Sequence, residues 1–100
     1  MPGGIPRRPA AASRAHGIFG RVFGRIGDSE KARENLERSV ALARESDRAE
    51  AVRALLTLGY HLEVSEADYE GAAEAYREAL EIAQEVGDLP SQVELHASLG

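Results

Sequence analysis

The chain has 100 residues, 43% of them hydrophobic, with 12 basic and 17 acidic side chains and a net charge of −5. That length holds one domain with a modest core. With no cysteine, a disulfide framework, thiolate metal sites and a cysteine nucleophile are excluded, and no apolar run approaches the ~20 residues that span a bilayer.

The charge is segregated. Residues 1–27 carry five arginines, Arg7, Arg8, Arg14, Arg21 and Arg25, and no acid; all 17 acidic residues follow. The acidic remainder argues against direct nucleic-acid binding, which needs clustered Lys and Arg to displace counterions. Residues 1–12, with Pro2, Pro6, Pro9, Gly3 and Gly4, read as a disordered, basic, proline-rich lead-in. Gly and Arg interrupt every apolar stretch up to Gly27, so no secretory signal is expected. The chain is expected in the cytoplasm.

Everything after the lead-in reads as helix, since no segment sustains a period-2 alternation. The first helix is expected from about Ser13 to Ile26. Its apolar residues Ile18, Phe19, Val22, Phe23 and Ile26 are spaced at three and four. Gly17, Gly20 and Gly24 weaken it by ~0.8–1 kcal/mol each against Ala, so docking must hold it. Gly27 suits a left-handed helix end and Asp28 the next N-cap. The second helix is expected over Ser29–Glu45, burying Ala32, Leu36, Val40 and Ala43, with Glu34 and Arg38 as an i,i+4 pair.

Asp47 caps the third helix, Arg48–Val64, with Glu50 placed for a capping box. Its buried face is Val52, Leu55, Leu58, Gly59 and Leu62. Asp68 caps the fourth helix, Tyr69–Val86, with Ala72, Tyr76, Ala79 and Ala83 inward. Gly87-Asp88 ends it, and Pro90 suits the first turn of a fifth helix.

An apolar residue followed by Gly recurs in alternate helices: Phe19-Gly20, Leu58-Gly59 and Leu99-Gly100. A period near forty in an all-helical chain means stacked helical hairpins. Each such Gly lets the facing helix approach closely, as do Ala32 and Ala72. Leu55, Leu58-Gly59, Leu62, Ala72, Tyr76 and Ala79-Leu80 resemble the tetratricopeptide repeat family. His16, Phe19-Gly20, Phe23, Ala32 and Leu36 form a looser copy, with Ser39 where the family prefers Ala. The turn before Asp68 holds one residue more than the family spacing, and the family's closing Pro is absent. The long repeats resemble the forty-residue arrays of large bacterial regulators. The resemblance implies an all-α fold of stacked antiparallel hairpins, an α-solenoid. Residues 13–46 form repeat one, 47–87 repeat two, and 88–100 the first part of a third.

No residue set points to catalysis, so the chain reads as a non-enzyme with no cofactor and no metal. His16, His61 and His96 lie too far apart in sequence for a helical zinc motif. His16 and His96 read as wedges between helices, and His61 as partly exposed. Glu63, Glu66, Asp68 and Glu70 lack the spacing of a calcium loop and read as solvated or capping groups.

What remains is surface. The resemblance implies a concave groove lined by the first helix of each hairpin. It places Arg14, Gly17, Arg21, Gly24 and Arg25 there from the first copy, and Arg53, Leu56, Thr57, Tyr60, Glu63 and Val64 from the second. A groove that is basic at one end favours a protein partner or an acidic peptide. Arg21 and Thr57 stand where the chaperone-tail-binding subset has Asn, so that ligand is not expected. The main expectation is a protein–protein interaction module. The alternatives are a fragment of a larger bacterial signalling or transcription regulator and a self-associating structural unit, with a homodimer through the C-terminal repeat edge.

Overall fold

The computed structural model describes residues 9–100. Among them are five helices and no strand: α1 (Pro9–Arg25), α2 (Ser29–Ser46), α3 (Arg48–Ser65), α4 (Tyr69–Val86) and α5 (Leu89–Leu99). The all-α expectation holds, and each helix packs on the next in chain order. The first helix starts at Pro9 rather than Ser13. Pro at the first helical position forfeits no bond, and Ala10–Ala12 are the strongest helix formers. So residues 9–12 belong to α1, and the rest of the expected disordered lead-in lies outside the described residues.

Four aspartates start the later helices. The side chains of Asp28, Asp47, Asp68 and Asp88 accept from Lys31 N, Ala49 N, Gly71 N and Ser91 N. Such a cap contributes about 1 kcal/mol. The Ser91 hydroxyl and amide both donate to Asp88, holding its carboxyl below the usual carboxylate range. The capping box at Asp47 is only half made. Asp47 accepts from Glu50 N at 3.4 Å, but the Glu50 side chain turns to Arg14 at 3.3 Å.

Three of the four turns hold a left-handed residue, while Asp47 between α2 and α3 is extended. Gly27 and Gly87 have φ of 88° and 74° and stop α1 and α4. At the longer turn after α3 the left-handed residue is Ala67, with φ of 53°, and Asp68 N closes the turn on Leu62 O at 2.8 Å.

Within each hairpin the close approach expected at Gly is present. A Cβ on Gly20 would lie 2.6 Å from Leu36 Cγ and 3.1 Å from Ala32 O. A Cβ on Gly59 would lie 2.5 Å from the Tyr76 ring. The core runs from Leu36 and Val40 of α2 through Val52, Leu55, Leu58 and Leu62 of α3. It continues to Tyr76, Ala79 and Ile82 of α4 and ends at Leu95 of α5.

The expected apolar face of α1 is not part of that core. Ile18, Phe19, Val22 and Ile26 are between 48% and 69% exposed. Instead α1 docks through its small residues. Ser13 Oγ donates to Ser39 O at 2.8 Å and Ser39 Oγ to Ser13 O at 2.7 Å, with both side chains buried. This reciprocal pair is why Ser suits position 39. Glu34 and Arg38, expected to pair, are both exposed and make no ion pair among the described residues. Ion pairs instead tie helices across the array: Arg14–Glu50, Arg33–Glu66, Arg44–Glu78 and Arg48–Glu85.

Candidate partner-binding groove

Helices α1 and α3, the first of each hairpin, lie side by side and leave a groove between them. Its larger hollow, about 590 Å³, is lined by Arg21, Gly24 and Arg25 of α1 and by Leu56, Thr57, Tyr60 and His61 of α3, with Glu94 from α5. A smaller hollow of about 200 Å³ continues along the same two helices. Arg14, Gly17, Arg21, Arg53 and Thr57 line it with Glu50. Arg21 and Thr57 belong to both, so the two hollows form one trough.

Nine of the eleven expected groove residues thus come together: Arg14, Gly17, Arg21, Gly24, Arg25, Arg53, Leu56, Thr57 and Tyr60. Glu63 does not. It faces α4, where it accepts from Tyr76 Oη at 3.1 Å. Burial, then the Glu63 hydrogen bond, pushes the Tyr76 phenol up to about 12. Val64 is exposed and lines neither hollow.

The cations of the trough are not equivalent. Arg14 is held by Glu50. Arg21, Arg25 and Arg53 are exposed and make no ion pair among the described residues. Tyr60, 64% exposed, presents an aromatic face beside them. The trough therefore has a basic end on α1, an amphipathic wall on α3 and two carboxylates, Glu50 paired with Arg14 and Glu94 on the α5 side.

Its floor contains a polar link that sequence reasoning missed. His61 is buried, not partly exposed, and its Nε2 pairs with Glu66 Oε2 at 2.8 Å. Glu66 in turn accepts from Arg33 Nη1 at 2.7 Å. The Glu66 charge, and then its hydrogen bond, raises the Arg33 pKa above its ordinary value. Glu66 is thus a structural bridge between α2 and α3 rather than a solvated group. His16 bonds Asn35 Oδ1 through Nδ1 at 3.0 Å, as a residue between α1 and α2. His96 is not a wedge: it is exposed on α5. No group of three or more metal-ligating side chains occurs among the described residues.

A family model for the tetratricopeptide repeat matches residues 11–85. The chain belongs to the tetratricopeptide repeat family. No curated protein matches it. Tetratricopeptide repeats are in general protein–protein interaction modules and typically non-enzymatic scaffolds. In this tetratricopeptide array the matched span runs through both hairpins, from within α1 to within α4. Among the described residues no helix is long and apolar enough to cross a membrane.

Proposed function

We propose that this tetratricopeptide array captures an acidic peptide segment of a partner protein in the trough between α1 and α3. The observation that carries this reading is the trio Arg21, Arg25 and Arg53, cations with no ion-pair partner among the described residues, beside Leu56 and Tyr60 in a single trough. An arginine fork holds a carboxylate through two parallel N–H bonds, and such charge-assisted bonds are the strong ones. Leu56 and Tyr60 supply apolar area for the residues between the acids. Glu94 at the α5 side sets the polarity: the acidic end of the peptide lies toward α1.

The test is fluorescence anisotropy with labelled peptides of matched length in acidic, neutral and basic versions. The acidic peptides are expected to bind best, and added salt to weaken them. Replacing Arg21 and Arg25 together by Ala removes two charge-assisted contacts. At about 1.5–3 kcal/mol each, the loss is tenfold or more in Kd. Arg77→Ala, on exposed α4 surface, serves as control. Equal binding by the double variant, or a preference for basic peptides, sinks the proposal.

A further inference from the structure

The smaller hollow of the trough carries more positive charge than one peptide carboxylate answers. Its charged lining is Arg14, Arg21 and Arg53 against the single carboxylate of Glu50, a surplus of two positive charges in about 200 Å³. In the larger hollow Arg21 and Arg25 face Glu94, a surplus of one beside His61. Residues 1–8 contain no Asp or Glu to pair with these arginines.

The repeat register shows where the surplus comes from. Counting from Gly20 to Gly59, Arg53 stands in the second repeat where Arg14 stands in the first. Arg14 is held by Glu50, in the first turn of α3. Counting on from Gly59 to Gly100, the place of Glu50 falls on Ser91, and the first turn of α5 has no acid. Arg53 is therefore the copy of Arg14 that has lost its carboxylate. It lines the small hollow from α3 while Arg21 lines it from α1.

The hydroxyls of this hollow add no donor for a ligand. Thr57 Oγ1 donates to Arg53 O at 3.0 Å, and Ser39 Oγ to Ser13 O at 2.7 Å. Recognition falls to the guanidinium groups. A carboxylate offers them one charge and two oxygens. A phosphoserine or phosphothreonine offers close to two charges at neutral pH and three acceptor oxygens, and arginine takes phosphate through two parallel N–H bonds. A surplus of two, shared between opposite walls, matches the dianion.

We propose that the small hollow is a phosphate seat, in which Arg21 and Arg53 hold the phosphoryl group of a phosphoserine or phosphothreonine in the partner segment. This rests on the acidic-peptide reading of the trough and narrows it. Arg25 lies one turn beyond Arg21, about 6 Å along α1. In an extended peptide, residues two apart face the same side at about 7 Å. The matching pattern is thus a phosphorylated residue with Asp or Glu two positions away, the acid meeting Arg25.

Fluorescence anisotropy at neutral pH tests this with three labelled peptides. They differ at one position, which is Ser, Glu or phosphoserine, two residues from a fixed Glu. The phosphoserine peptide is expected to bind about tenfold tighter than its Glu twin, the worth of one further charge-assisted bond. Arg53→Gln is expected to bring the two together. Arg25→Gln, in the larger hollow and not the smaller, is expected to weaken both and keep their ratio. Each ratio is taken on one protein sample, so any loss of folded protein cancels from it. A phosphoserine peptide no tighter than its Glu twin overturns the proposal and leaves the acidic-peptide reading standing, as does a preference that survives Arg53→Gln. Inorganic phosphate that competes as well as the phosphoserine peptide overturns it too, because the hollow then takes the free ion and not the segment. Failure of the acidic-peptide reading shows differently: the Glu peptide then binds no better than a basic peptide of the same length.

Discussion

Gly59 and Tyr76 show how one missing side chain fixes a hairpin. The Tyr76 ring occupies the space a Cβ on Gly59 would need, and the Glu63 hydrogen bond keeps the ring from backing away. Ala is the better helix former by about 1 kcal/mol, but overpacking costs about 1–3 kcal/mol. Gly59→Ala is therefore expected to destabilise the fold, with Tm lowered by about 4–8 °C per kcal/mol. Thermal melts followed by circular dichroism check it; an unchanged or higher Tm would mean that the ring moves freely. The same ring sets a pH dependence. Its phenol is raised from 10.0 to about 12. A folded value above the unfolded one means the stabilisation is complete below pH 10 and is lost as pH climbs toward 12. Phenolate absorbance is expected to show a step near pH 12 that Tyr76→Phe abolishes. The Gly59–Tyr76 approach was legible in the sequence because the Leu-Gly signal and the aromatic recur at fixed spacing. The buried His61 was not. Its burial depends on Glu66 in the following turn and Arg33 on another helix, a pairing that no local pattern contains.

At the scale of elements, helix ends were written locally and helix faces were not. The Asp caps and the glycines at 27 and 87 announce where α2, α3, α4 and α5 begin and where α1 and α4 stop. The face of α1 was hidden because periodicity marks where apolar residues lie, not which side gains a neighbour. Leu36 brings the bulk to that contact, so α1 must answer with Ser13, Gly17 and Gly20. Its large residues are left for another surface. Helix α5 has the opposite design. It has one fully buried side chain, Leu95, helped by Gln92 Nε2 donating to Ala83 O at 3.3 Å and by Leu99 against the core. A buried Leu→Ala change costs about 2–5 kcal/mol, and an 11-residue helix has little stability alone. Leu95→Ala is expected to release α5 while α1 to α4 stay folded. Circular dichroism would then lose helix signal in proportion to those residues, with a main melting transition retained. A variant that keeps its full helix signal would show that α5 is held by something other than Leu95.

Across the whole molecule, stability follows from having neighbours on both sides. The Cα atoms extend 51 × 35 × 17 Å, so the array is thin and each helix is secured mainly by those beside it. In such a stack stability is approximately a sum of repeat and nearest-neighbour terms. Helix α3 packs against α1, α2 and α4 and contributes Val52, Leu55, Leu58 and Leu62 to the core. Helix α1 lies at one edge, carries three glycines and buries only small side chains such as Ser13, whereas α3 buries Val52, Leu55, Leu58 and Leu62. Helix α5 lies at the other edge on Leu95. The free energy of local opening should therefore peak in α3 and fall toward both edges. Amide hydrogen exchange is the direct reading. The slowest amides are expected in α3 and the facing parts of α2 and α4, and the fastest in α1 and α5. The trough would then have one firm wall, α3, and one yielding wall, α1, which also carries Arg21 and Arg25. An acidic peptide bound there should slow exchange in α1 more than in α3, because α1 has more opening left to suppress. Uniform protection across all the helices would contradict the nearest-neighbour picture, and a peptide effect confined to α3 would contradict the yielding wall.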